Sequence, residues 1–301
     1  MTTADDLITP DLASQLDRLD LLARLLVEGF LTGLHRSPYH GFSAEFAEYR
    51  RYQPGEPATH IDWRVLARSD RAYQRVFAEE TNLRCTLLMD CSASMRFTGD
   101  PQARPSKLAW GRVLAACLAY LLLRQNDAVG LVAFDDQPLL RVPARSMRRQ
   151  LFQVLKGLRE APEGAGTRLG PVLHDVAERV PRRGLVVLIS DLMDDPDAVI
   201  AGLKHFRHRG HEVMVFHVLD PTELDLDFSG EVEFTALEDP SARLRTEPAH
   251  VRDGYRARLE SWRGRLRREC RRQLVDLVDV RTDQPVSQAL GAYLMKRGRL
   301  H

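Results

Sequence analysis

Two apolar runs in this chain each end in an acid. Residues 85–89, Cys-Thr-Leu-Leu-Met, lead into Asp90, and residues 185–190, Leu-Val-Val-Leu-Ile-Ser, lead into Asp191. Short apolar runs of this kind predict strands buried on both faces. Further strands are expected over 127–134, 139–142, 212–219 and 277–280, with 139–142 an antiparallel edge. Between them apolar residues recur at helical spacing. Ser106 is placed to cap a helix over 107–125 whose apolar face is Leu108, Val113, Leu114, Cys117, Leu118, Leu121 and Leu122. Helices are also expected over 145–159, 171–179, 197–209 and 286–297. This alternation predicts an α/β fold, a doubly wound and mostly parallel sheet.

Two regions lie outside the alternation. Over 221–248, Asp225, Leu226, Asp227 and Phe228, followed by Val232, Phe234 and Leu237, read as an acidic hairpin. A long helix then runs over 249–275 with Tyr255, Leu259, Trp262, Leu266, Cys270 and Leu274 on one stripe. At the other end, Leu12, Leu16, Leu19, Leu22, Leu25, Leu26 and Phe30 predict one or two amphipathic helices packed on the body. The expected organisation is an N-terminal segment, 1–82, packed on a domain over 83–301 that carries the hairpin as an insertion.

Composition narrows the function classes. Of 301 residues, 44% are apolar and 28% charged, as in soluble globular proteins. Lys plus Arg number 43 against 42 Asp plus Glu, so overall charge points to neither nucleic acid nor a membrane surface. The cysteines, Cys85, Cys91, Cys117 and Cys270, have no C-x-x-C spacing and fit buried thiols in a reducing compartment. The longest apolar stretch, 113–123, is too short for a bilayer. Residues 1–6 are polar and acidic, unlike a signal peptide, and a cytoplasmic location is the expectation. No G-x-x-x-x-G-K-[ST] occurs, so nucleotide hydrolysis would have to come from another chain.

The candidate chemistry is at the strand ends. In an open parallel sheet, ligands bind beyond the carboxyl ends of the strands. Asp90, Ser92 and Ser94 would lie there and present hard oxygens that suit Mg²⁺ or Mn²⁺. Asp-x-Ser-x-Ser alone is also an ordinary capped loop. Two further stretches support a site: Gly164-Ala165-Gly166-Thr167, a loop carrying one hydroxyl, and the strand ending in Asp191. In order and residue type, Asp90, Ser92, Ser94, Thr167 and Asp191 resemble the metal-ion-dependent adhesion site of a von Willebrand factor A domain. That resemblance implies that the five hold a divalent ion with open positions, and that the ion captures a carboxylate from another molecule.

Upstream, Glu45-Phe46, Arg50 and Tyr52, Gly55-Glu56, Ile61-Asp62-Trp63 and Ala67-Arg68 precede the first buried strand. This pattern, placed before an A-like domain, resembles the bacterial family called domain of unknown function 58, over roughly residues 19–297. Glu56 stands where that family often has Asp, which retains the charge. Glu45, Arg50, Tyr52, Asp62, Trp63 and Arg68 fit either a structural lock of ion pairs and a buried Trp or a binding surface. The resemblance implies a non-catalytic, chaperone-like adaptor that works with a MoxR-type AAA+ ATPase on a client supplying an acidic residue.

Two other classes compete. A Mg²⁺-dependent phosphohydrolase would use Asp90 as nucleophile, but such enzymes have an acid where this chain has Ser92, and no lysine is expected near Asp191. Cys91 lacks a nearby histidine and is expected to point into packing. A nucleic-acid binder would use the arginines of the long helix, Arg256, Arg258, Arg263, Arg265, Arg267, Arg268, Arg271 and Arg272. The reading preferred for them is a solvated face partly paired with Glu260 and Glu269.

Overall fold

The computed structural model describes residues 18–36, 48–51, 73–76, 83–147, 149–164, 166, 168–181, 183–238 and 241–297. The body is one six-stranded sheet built from β3 (Arg84–Asp90), β4 (Ala128–Phe134), β5 (Pro138–Arg145), β6 (Gly184–Ser190), β7 (His211–Leu219) and β10 (Val275–Arg281). The order across it is β10-β7-β6-β3-β4-β5. All neighbours are parallel except β5, which runs antiparallel to β4 at the edge. The chain first moves outward from β3 through β4 to β5, then returns to place β6 on the other side of β3. The reversal lies between β3 and β6, and that is where a doubly wound sheet opens a crevice.

Helices cover both faces. On one lie α1 (Leu19–Arg36), α2 (Lys107–Arg124), α3 (Gln150–Glu160) and, after β10, α8 (Val286–Arg297). On the other lie α4 (Leu169–Arg179), α5 (Pro196–His208) and the long α7 (Pro248–Arg272). Strand alternation divides the side chains between the faces. Leu87, Met89, Val187 and Ile189 pack with the first group, and Leu88, Val186 and Leu188 with the second. All but Val186 are fully buried, so the strands read as continuous apolar runs rather than as alternation. Ser106 caps α2 by accepting from the Ala109 N–H at 3.2 Å.

Three expected boundaries are corrected. The helix expected over 145–159 begins at Gln150, because β5 extends to Arg145, which pairs with Val129. The buried Gln150 side-chain amide donates to the carbonyls of Val129 (2.6 Å) and Pro143 (2.8 Å) and fixes the start of the helix. Within 221–248 the first stretch is a short helix, α6 (Pro221–Asp225), opened by an Asp220 capping box. The hairpin is instead β8 (Val232–Thr235) with β9 (Arg243–Thr246). The helix expected to reach 275 stops at Arg272. Leu274 takes a left-handed φ of 55°, which frees Val275 to pair with Val213.

Of the N-terminal segment, α1 packs on α2 and α8, while β1 (Glu48–Arg51) and β2 (Tyr73–Val76) form an antiparallel pair with Arg50 opposite Gln74. Glu45, Tyr52, Asp62, Trp63 and Arg68 lie outside the described residues. No described helix is long and apolar enough to cross a membrane.

Candidate metal centre

The register of β3 with β6 sets Met89 beside Ile189, so the next residues, Asp90 and Ser190, end their strands side by side. Both are buried. Ser190 Oγ donates to Asp90 Oδ2 at 2.6 Å, and the Ser92 N–H donates to Asp90 Oδ1 at 2.9 Å. The Ser92 and Ser94 hydroxyls lie 3.1 Å apart at the start of the loop, with Ser92 buried and Ser94 half-buried. Burial, and then the nearby Asp191 charge, push the Asp90 carboxyl up to about 7, against the bonds from Ser190 and Ser92.

Asp191 is fully buried one residue beyond β6. The next residue, Leu192, has a φ of 55° and is buried, a backbone state that costs roughly 1–2 kcal/mol in a side-chain-bearing residue. The turn is held by the Leu192 N–H on Ser190 Oγ (2.9 Å) and the Met193 N–H on Asp191 Oδ1 (3.2 Å).

Gly164 reaches the same rim. The Gly164 N–H donates to the Cys91 carbonyl at 2.8 Å, and a Cβ at Gly164 would lie 2.2 Å from Asp135 Cβ. Only a residue without a side chain lets this loop approach so closely. Thr167 itself is outside the described residues. Asp90, Ser92, Ser94 and Asp191 are therefore brought together, with Gly164 pinned beside them.

Three residues at the rim lay outside the sequence reading. Lys107, in the first turn of α2, is fully buried; its Nζ donates to Asp191 Oδ2 at 2.8 Å and to Glu223 Oε1 of α6 at 2.6 Å. Burial alone would lower the Lys107 ammonium, but the two carboxylates outweigh it and raise it above its ordinary value. The expectation that no lysine stands near Asp191 is corrected: the two are 84 positions apart in the chain and meet only because α2 starts where β6 ends. A cation in the first turn of a helix is electrostatically adverse, which was the available signal. Glu223 sits in a capping-box pattern legible as Asp220-x-x-Glu223. His217, next to Ser190 in register, has Nε2 3.1 Å from the Asp191 carbonyl, and only the fold brings it there.

Ser92, Ser94, Asp90 and Asp191 offer oxygen only, and no cluster of three or more His, Cys, Asp or Glu side chains suited to a metal occurs among the described residues. This donor set fits a hard divalent ion and does not fit zinc or copper. Cys91, between the candidate ligands, is buried, and burial pushes its thiol up to about 12, which leaves little thiolate for nucleophilic chemistry. All four cysteines are buried and none is in a disulfide.

The family described as "Protein of unknown function DUF58" matches residues 48–264. The chain belongs to this family. Uncharacterized protein Rv1480 of Mycobacterium tuberculosis and uncharacterized protein Mb1516 of Mycobacterium bovis are each 29% identical to it over 283 residues, covering 93% of this chain and 87% of theirs. Among solved structures, conserved hypothetical protein BatB from Bacteroides thetaiotaomicron superposes with a TM-score of 0.44 at 16% identity, covering 71% of this chain and 98% of that one. The SpRpn10 VWA domain superposes with a TM-score of 0.40 at 13% identity, covering 70% and 95%. Both superpositions are loose; the α/β assignment of this DUF58 chain stands on its own strand order and direction.

Proposed function

We propose that this DUF58 protein is a non-catalytic protein-binding adaptor. Its rim takes Mg²⁺ or Mn²⁺ and, through the ion, an acidic side chain of a client. The observation that carries the reading is the pair of hydroxyls, Ser92 and Ser94, 3.1 Å apart beside the carboxylate of Asp90 at the switch point of the sheet. When bound, the metal would supply a positive centre with open positions. Ser92 and Ser94 would be its direct oxygen ligands, while Asp90 and Asp191 balance its charge. Ser190 holds the Asp90 carboxylate in place, and the Leu192 turn orients Asp191. The resemblance to domain of unknown function 58 supports a MoxR-type AAA+ ATPase as the partner that supplies nucleotide hydrolysis, with the pair acting in protein assembly or maturation in the cytoplasm.

Two observations weigh against the other classes. The lysine that a phosphohydrolase would aim at phosphate is here engaged by two carboxylates and fully buried, and Ser92 stands where the second acid would be. The arginines of α7 are largely paired within the chain: Arg263 and Arg267 with Glu260, Arg272 with Glu269, Arg265 with Asp197, and Arg256 with Asp225.

Calorimetric titration with Mn²⁺ tests the reading, using wild type and the double variant Ser92→Ala/Ser94→Ala. Wild type should bind and melt at a higher temperature with the ion present, and the variant should fold but not respond. A wild type that shows neither heat nor stabilisation would end the metal-site reading. Where it binds, capture of the ATPase should be lost on adding a chelator.

A further inference from the structure

The Lys107 ammonium is the least expected charge in the molecule. It is fully buried at the positive end of α2 and bonded to one carboxylate on each side, Asp191 at 2.8 Å and Glu223 at 2.6 Å. Asp191 is likewise fully buried, and its other oxygen accepts from the Met193 N–H. The Phe97 ring lies over the ammonium, 5.7 Å from Nζ to the centroid. Glu223 is in turn fixed by its bond from the Asp220 N–H (3.2 Å) in the capping box of α6. The ammonium is thus clamped, and it neutralises a carboxylate that a divalent ion at the rim would otherwise have to itself.

We propose that Lys107 is a built-in competitor cation that weakens the rim's hold on a divalent ion through Asp191, so that the ion is retained well only when an incoming carboxylate adds its charge. The inference rests on the metal reading above and deepens it. With Asp90, Asp191 and Glu223 ionised, the rim carries three negative charges against the one positive charge of Lys107, but Lys107 sits on Asp191 Oδ2 and competes with an ion for that oxygen. An ion that can draw little on the oxygen held by Lys107 keeps positive charge toward its open positions, which an anionic partner group relieves. Lys107 does not touch the client; it is a positioning and charge-setting residue that acts through Asp191. It makes metal binding and carboxylate capture mutually reinforcing, which is useful in an adaptor that must release its client.

The test is Mn²⁺ affinity, by calorimetry and by the shift in melting temperature, for wild type, Lys107→Met and Glu223→Gln. Lys107→Met frees Asp191 and should bind Mn²⁺ at least ~10-fold more tightly, since removing a cation from beside the charge-balancing carboxylate is large at interior dielectric values. Glu223→Gln leaves Lys107 leaning on Asp191 alone and should bind more weakly. A purely structural Lys107 would make both variants bind more weakly by loosening the rim, so opposite directions support the competitor and equal directions overturn it. If Lys107→Met does not fold without Mn²⁺, folding rescued by Mn²⁺ supports the proposal, and no rescue together with unchanged binding by Glu223→Gln overturns it. Binding by wild type that depends on Ser92 and Ser94, with Lys107→Met no tighter, overturns the competitor and leaves the metal reading standing. No binding by any variant removes both. Sodium acetate added to wild type should tighten Mn²⁺ binding, and should do so less in Lys107→Met.

Discussion

His217 Nδ1 lies 2.8 Å from Asp279 Oδ1, joining the end of β7 to the edge strand β10. The other ring nitrogen faces the Asp191 carbonyl, and Asp279 also accepts from Arg263 (2.9 Å) and from Arg267 of α7. Trp262 closes over the imidazole edge-on, with ring centroids 5.5 Å apart. A line of bonds therefore runs from the basic helix to the backbone of a candidate metal ligand. Arg263 and Arg267 are anchors of α7, whatever the rest of that face does.

This cluster sets a pH dependence. Burial alone would raise the Asp279 carboxyl, but bonds from His217 and Arg267, with the charges of His217 and Arg263, outweigh it and hold Asp279 well below the usual carboxylate range. A group depressed in the folded state stabilises it above the unfolded value, near pH ~4, and that stabilisation disappears as pH falls through the folded value. Asp279→Asn should therefore melt lower than wild type at neutral pH, and the two curves should converge at strongly acid pH. Melting temperature against pH checks this, and parallel curves would contradict it.

Ser190 carries two duties at once, donating to Asp90 and accepting from the Leu192 N–H. Ser190→Ala leaves a buried carboxylate oxygen and a buried N–H without these partners. The expected loss is about 1–3 kcal/mol per abandoned group. Urea unfolding of the variant measures it, and a loss below the scatter of the midpoint would show that water replaces the hydroxyl.

Gly164→Ala tests the close approach of Gly164 to Asp135. The added Cβ would meet Asp135 Cβ and Cγ at 2.2 and 2.7 Å, atoms close to the backbone that cannot swing aside. Displacement should cost about 1–3 kcal/mol, as overpacking does elsewhere. Gly254→Ala is the control, because a Cβ there meets nothing within 4 Å. It should be neutral or slightly stabilising in α7.

Arg297, at the end of α8, donates to Asp127 Oδ2 at 2.7 Å and to the Tyr293 hydroxyl at 3.0 Å, closing the last helix onto the start of β4. Asp127 is fully buried, so Arg297→Met leaves its charge without this partner. A loss of about 3 kcal/mol is expected, the low end for breaking a buried pair because Arg297 remains partly exposed. Asp127→Asn in the same background should recover part of it, and a double-mutant cycle reads the coupling.

By itself the sequence determined the α/β alternation, the antiparallel edge, the Ser106 cap and the two acids at strand ends. Each rests on a local signal: side-chain period, capping chemistry, or the length of an apolar run. Asp90, Ser92, Ser94 and Asp191 were legible because the chemistry of a hydroxyl pair beside a carboxylate is written within a few positions. Boundaries that depended on pairing were not. β5 runs on to Arg145 because β4 offers a free edge there, and the acidic stretch after Pro221 folds as a helix because Asp220 and Glu223 cap it reciprocally. Only the tertiary structure decided the electrostatics of the rim. Lys107, Asp191, His217, Glu223 and Asp279 come from five separate elements or turns, and no periodicity links residues that meet only in the folded chain. Solvation makes the difference: a lysine in solution is indifferent to its sequence neighbours, whereas a lysine buried without water must find carboxylates wherever the fold brings them.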